Sequence, residues 1–244
     1  MDDGLTAALA ALMLAACSGG SVNGDDGEAA GPQAQRSFTL SGFDKVDLAG
    51  PDNVRVMTGS AFAVRAEGPQ DVIDKLKLEV VDGTLRVGRE RSSNWKWGSN
   101  PRATVTVSLP SATGASVSGA GGLTLDRGTG DFTATISGAG DLAVGRIEGR
   151  DVTLKLSGTG DIAAAGVART LNASVSGAGS IRAEELVARQ GKVSLSGVGD
   201  VAVRIDGPAQ VSVSGVGSAS LGPNSVCTTR KSGIGSVECG SGGR

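Results

Sequence analysis

The 244-residue sequence has no histidine and no tyrosine, and aromatic residues make up only 2% of it. Without histidine the commonest general base and metal ligand is missing, which removes most nucleophilic-triad and imidazole–metal chemistry. A core so poor in rings must be built from Val, Leu, Ile and Ala, which suit closely stacked, flat β layers better than a bulky globular centre. Neither sign of charge is in excess: 23 Lys and Arg stand against 25 Asp and Glu, a formal net charge of −2. That balance offers no basic field, so a nucleic-acid partner is not expected. The apolar run at residues 4–16 is too short to span a bilayer. What the chain does have is glycine, 40 residues of it. No G-X-Y period accompanies them, which excludes collagen.

Cysteine is scarce, and the three copies fall at telling places. The apolar N-terminal run ends in Leu14-Ala15-Ala16-Cys17, followed by Ser18-Gly19-Gly20-Ser21. This pattern resembles a bacterial lipobox, with residues 1–17 as a lipoprotein signal peptide and Cys17 as the acylated residue. Each buried methylene of an acyl chain adds roughly 0.8 kcal/mol, so several chains on one cysteine hold a protein firmly. Ser18 resembles the sorting signal for the outer membrane, whereas Asp2 and Asp3 stand where a positive segment is usual. The membrane is thus an expected partner through the lipid anchor. Cys227 and Cys239 lie close together near the end of the chain. In an oxidising compartment they could form a disulfide around a loop of about 13 residues, contributing roughly 3 kcal/mol. No CxxC pair or histidine accompanies them, so a zinc site is not expected.

The strongest signal is an internal repeat. Ser118-Gly119-Ala120-Gly121 recurs as Ser137-Gly138-Ala139-Gly140, Ser157-Gly158-Thr159-Gly160 and Ser176-Gly177-Ala178-Gly179. It returns as Ser196-Gly197-Val198-Gly199, Ser214-Gly215-Val216-Gly217 and Ser232-Gly233-Ile234-Gly235, at separations of 19, 20, 19, 20, 18 and 18 residues. Alternating segments such as Phe132-Thr133-Ala134-Thr135-Ile136 precede the copies, and short apolar segments such as Leu142-Ala143-Val144 follow them. The unit therefore reads as strand, glycine corner, strand, variable loop, one coil of a solenoid and too short for a propeller blade. We expect an all-β, right-handed parallel β-helix-like solenoid with coils of about 19 residues, stacked about 4.8 Å apart. The residue between the two glycines is expected to point inward, and the glycines to supply corner angles closed to other residues.

Ahead of the repeats the strands are shorter and separated by polar turns, and Asp82-Gly83 reads as the turn of a hairpin. The resulting division is a flexible linker over residues 18–36, an N-terminal β segment over 37–110 and solenoid repeats over 111–240. Three further runs, Ser41-Gly42-Phe43-Asp44-Lys45-Val46, Val54-Arg55-Val56-Met57-Thr58-Gly59 and Val81-Asp82-Gly83-Thr84-Leu85, join the glycine corners in order and spacing. With them the chain resembles the head GIN domain family of auto-transporter adhesins over roughly residues 37–220. The resemblance implies a secreted or lipid-anchored bacterial protein with a β-helix-like body. It brings no active site to carry over.

Candidate chemistry is thin. Ser93-Asn94-Trp95-Lys96 is the only S-x-x-K match and has no supporting motif. Asp141, Asp161 and Asp200 share one repeat position, where they either cap corner amides or, on adjacent coils, begin a calcium site that needs six to eight oxygens. Trp95 and Trp97, flanking Lys96, are the only tryptophans. They either cap an open end of the solenoid or stack on a sugar or protein partner. No catalytic residue, metal or cofactor is expected. The function expected is non-enzymatic: adhesion or envelope interaction, with a glycan or an envelope protein as partner. The alternatives are a polysaccharide-binding or polysaccharide-cleaving β-helix and a passive structural lipoprotein. The sequence leaves the oligomeric state open.

Overall fold

Aliphatic residues at every second position give each strand one face that must leave water, and a coiling chain can supply that cover from its own next turn. The computed structural model describes residues 32–90 and 101–240. The chain winds as a β-solenoid of about seven turns with coils about 19 residues apart. Its first strands are β1 (Gln33–Phe38), β2 (Lys45–Leu48), β3 (Asn53–Thr58) and β4 (Ala63–Pro69). A single helical turn, α1 (Gln70–Ile73), leads to β5 (Leu76–Val81), β6 (Thr84–Arg89), β7 (Thr104–Leu109) and β8 (Gly114–Val117). The repeats then run through β9 (Gly122–Ile136), β10 (Asp141–Leu156), β11 (Ile162–Val175) and β12 (Ile181–Leu195). Shorter pieces complete the stack: β13 (Val201–Ile205), β14 (Pro208–Val213), β15 (Ala219–Ser220), β16 (Val226–Lys231) and β17 (Val237–Glu238). Among the described residues no helix is long and apolar enough to cross a membrane.

Two boundaries differ from the sequence reading. The linker expected through residue 36 gives way at Gln33, because β1 pairs antiparallel with β4 from Gln33 opposite Pro69 to Phe38 opposite Val64. Nor does residue 110 mark a break in the sheet. β2 lies parallel between β6 and β8, and β3 lies parallel between β7 and β9, so both already sit within the stack. The Asp82-Gly83 turn does join β5 to β6 as an antiparallel hairpin, with φ of 49° and 72° at its two residues. Both angles lie in the left-handed region that such a two-residue turn requires.

From β9 to β12 the coils stack parallel, broken in register only at the bulged loops. Identical positions therefore form inward columns. One holds Ile136, Leu156, Val175, Leu195 and Val213, and the opposite wall holds Leu123, Leu142, Ile162, Ile181 and Val201. All are 0–1% exposed. Each such side chain contributes roughly 1.5–3 kcal/mol on burial. Phe132, 0% exposed, is the largest buried side chain. The core is thus a continuous aliphatic rod with little need for rings.

The glycine corner works for two reasons, only one of them conformational. At Gly160, φ is 127°, a left-handed value that penalises other residues. At Gly158 the constraint is space: a Cβ there would lie 1.9 Å from the carbonyl oxygen of Gly138 on the preceding coil. The corner is so tight that neighbouring backbones touch. This reverses one expectation, because the residue between the glycines points outward. Ala139, Thr159, Ala178, Val198, Val216 and Ile234 are bridged in parallel, coil to coil, along the outer corner. Val198, Val216 and Ile234 are 58%, 48% and 75% exposed. At the glycines a side chain would run into the backbone of the preceding coil, so none fits.

Candidate functional site

The aspartates of the repeat resolve into corner caps. Asp161 N–H donates to Asp141 Oδ1 at 3.0 Å, Ser180 N–H to Asp161 Oδ1 at 2.9 Å, and Ser218 N–H to Asp200 Oδ1 at 2.8 Å. Each carboxylate serves the matching amide one coil further on, rather than an amide two residues along its own chain as in an Asx turn. Arg182 Nη1 closes the remaining oxygen of Asp161 at 2.9 Å. Among the described residues no group of three or more His, Cys, Asp or Glu side chains is placed to hold a metal ion. Serines act likewise: the hydroxyls of Ser157 and Ser196 donate to the carbonyls of Ile136 and Val175 on the previous coil.

The cysteine pair is formed. Cys227 and Cys239 are joined, with their Cα atoms 6.2 Å apart. Register places Cys227 opposite the buried Ala209 of β14, while Cys239 follows Val237 and Glu238, opposite Ala219 and Ser220 of β15. The bond therefore crosses the interior of the last coil from wall to wall.

Cys17 and the Trp95, Lys96 and Trp97 group lie outside the described residues, as do Ser93 and Asn94. A buried ion pair that the sequence did not announce holds the chain on both sides of the latter segment. Asp52 is fully buried and accepts from Arg89 Nε at 2.9 Å and Arg89 Nη2 at 2.5 Å. The same carboxylate accepts Ala103 N–H at 2.8 Å, and Arg89 Nη2 also donates to the Pro101 carbonyl at 2.8 Å. One carboxylate thus ties together the chain leaving at Arg89 and the chain returning at Pro101. Burying a charge pair is costly unless its lone pairs and protons find partners, and here both Asp52 oxygens and three Arg89 N–H protons do. A second buried carboxylate, Asp47, accepts hydroxyl protons from Ser116 and Ser118, each at under 3 Å, in the same region.

Two shallow depressions of about 390 and 330 Å³ adjoin each other, sharing Ala143 and Gly145. Their floors are small or aliphatic, with Arg55 and Asp126 towards one end and Arg182, Glu184 and Glu185 towards the other. They follow the bulges where the register slips between Val144 and Ile147 and between Ala163 and Gly166. Arg146 donates to Glu148 at 2.7 Å and, by this hydrogen bond and its charge, holds the Glu148 carboxyl below the usual glutamate range.

Solved structures share this architecture. A protein from Bacteroides fragilis described as a "putative adhesin" aligns with a TM-score of 0.75 at 23% identity, covering 85% of this chain and 96% of its own. A "putative adhesin" from Parabacteroides distasonis aligns with a TM-score of 0.61 at 17% identity, covering 85% and 97%. A "putative lipid binding protein" from the same species aligns at 0.58 and 17%, covering 86% and 97%. At these identities the likeness is one of fold. No curated protein matches the chain. The family model described as "Putative auto-transporter adhesin, head GIN domain" matches residues 42–223, from just before β2 to just past the sixth glycine corner, and the chain belongs to that family.

Proposed function

We propose that this chain is a non-enzymatic adhesin of the cell envelope, held at the outer membrane by lipid on Cys17 and touching its partner through Trp95, Lys96 and Trp97. Membership of an adhesin family implies an exported or envelope protein. The observation that carries the contact reading is the Asp52–Arg89 pair. A buried ion pair holds the chain on both sides of the segment whose sequence carries both tryptophans. Fixing the chain on either side of a contact segment lowers the ordering cost of binding a partner. Tryptophan and a cation suit the face and hydroxyls of a sugar or a polar protein surface.

The test is a glycan-array screen of the chain from Ser18 onward, with and without calcium, beside a Trp95→Ala, Trp97→Ala double variant. Binding that disappears in the variant supports the reading. Binding that survives it moves the contact to the shallow depressions beside Glu184 and Glu185, and release of a shortened glycan there would establish a polysaccharide-cleaving protein instead. For the anchor, incorporation of a labelled fatty acid into the chain and its loss in Cys17→Ser is the expected result.

A further inference from the structure

Among the described residues, the last coil of the solenoid presents an unshared strand edge. β16 pairs with β14 in unbroken register, from Val226 opposite Pro208 to Lys231 opposite Val213. One coil earlier the Val213 carbonyl receives Ser232 N–H, and the N–H groups of Gly217 and Ala219 go to the carbonyls of Ile234 and Ser236. By the same register the Lys231 carbonyl and the N–H groups of Gly235 and Val237 face out of the end. Among the described residues no strand receives them.

Proteins normally blunt such an edge with a bulge, a proline, a very short strand or a charge. β16 is six residues long, with no proline and no bulge, and the Cys227–Cys239 bond fixes its wall to the opposite one. Only charge is left. Lys231 follows Ile136, Leu156, Val175, Leu195 and Val213 in an inward column, and Arg230 stands beside it. A neutral strand laid over this end would trap the ammonium without a partner, which is costly. A second copy laid end to end would do the same, since the last coil's inward residues, Cys227, Thr229, Lys231, Val237 and Cys239, include no acid.

From this we infer that the C-terminal coil is an acceptor edge for an extended acidic segment of another protein, which adds as one more strand and sets a carboxylate against Lys231. Backbone hydrogen bonds would supply the affinity and the two cations the selectivity. The surface is separate from the tryptophan segment, whose stems lie in the first coils.

The experiment uses the oxidised full chain and two synthetic peptides, one alternating valine with glutamate and one alternating valine with lysine. Amide exchange followed by NMR should slow at Thr229, Lys231, Gly235 and Val237 with the glutamate peptide. That peptide should bind about tenfold more tightly than its lysine counterpart, because opposite charges across a strand pair attract and like charges repel. Added salt should weaken its binding, a readout that needs no variant. An Arg230→Glu, Lys231→Glu variant, its disulfide checked by thiol titration, should reverse the preference. Equal protection by both peptides, or by neither, overturns the inference. So does concentration-dependent protection of these amides without peptide, because a second copy would then fill the edge.

Discussion

The two ends of the solenoid solve one problem in different ways. Both expose the cross-section of an aliphatic rod, and both end in strand edges. At the first end the chain adds material: β4 and β1 fold back antiparallel over β7, β5 folds back over β6, and α1 sets Val72 and Ile73 into the core. Phe43 and Phe62 meet there at a ring separation of 5.0 Å. At the other end the described residues close the coil with a single bond. Two cysteines close the walls on one another, and Thr229 and Lys231 take places that are aliphatic in earlier coils. A cap made of many contacts needs extra residues but no particular compartment. A cap made of one covalent bond is short, and it depends on an oxidising environment.

Predictions that break this comparison begin with the largest effect. Asp52→Ala should cost about 3–5 kcal/mol in chemical unfolding, because it leaves Arg89 partly buried without its counter-charge. A loss under about 1 kcal/mol would show that the first end does not rest on that pair. Next, a Cys227→Ser, Cys239→Ser variant should lose about 3 kcal/mol. Its faster amide exchange should be confined to β14 through β17, since coils contact only their neighbours. Exchange that also quickens in β1 and β4 would mean the two ends are coupled. Gly158→Ala, in the body between them, should cost about 1–3 kcal/mol, and crystallography should show the two coils forced apart locally. Val216→Ser, on the exposed corner, should change stability by under about 0.5 kcal/mol.

The smallest effect concerns pH. Arg146 lowers the Glu148 pKa in the folded chain, so this group favours folding above the unfolded glutamate pKa, and its contribution fades as pH falls through the folded value. NMR titration should place Glu148 on the acid side of an ordinary glutamate, and Arg146→Gln should return it.

Much of this was legible in the sequence, because the solenoid is a local repeat. The period of the S-G-x-G copies fixes the coil, and the alternation before each copy names the wall. Even the outward direction of Thr159 could have been counted. Leu156 and Ile162 are both inward, so a period of two carried through the corner puts Thr159 outside. The expectation failed by treating the corner as a break in that period. Lys231 could be found the same way, as the residue before Ser232 where other copies have Ile136, Leu156 or Val213. The caps from Asp141, Asp161 and Asp200 were anticipated in kind, but not the coil they serve.

What no local pattern carries is the meeting of distant singular residues. Asp52 and Arg89 are 37 positions apart, and Asp47 reaches Ser116 across 69. Neither carboxylate belongs to the repeat, and nothing in the surrounding residues marks one that will be buried. By itself the sequence determined the coil, its aliphatic core and the glycine corner, because each follows from stacking like upon like at a fixed period. The tertiary structure alone decided how the first end closes and which charges are taken out of water, because those contacts depend on single residues that the repeated pattern does not contain.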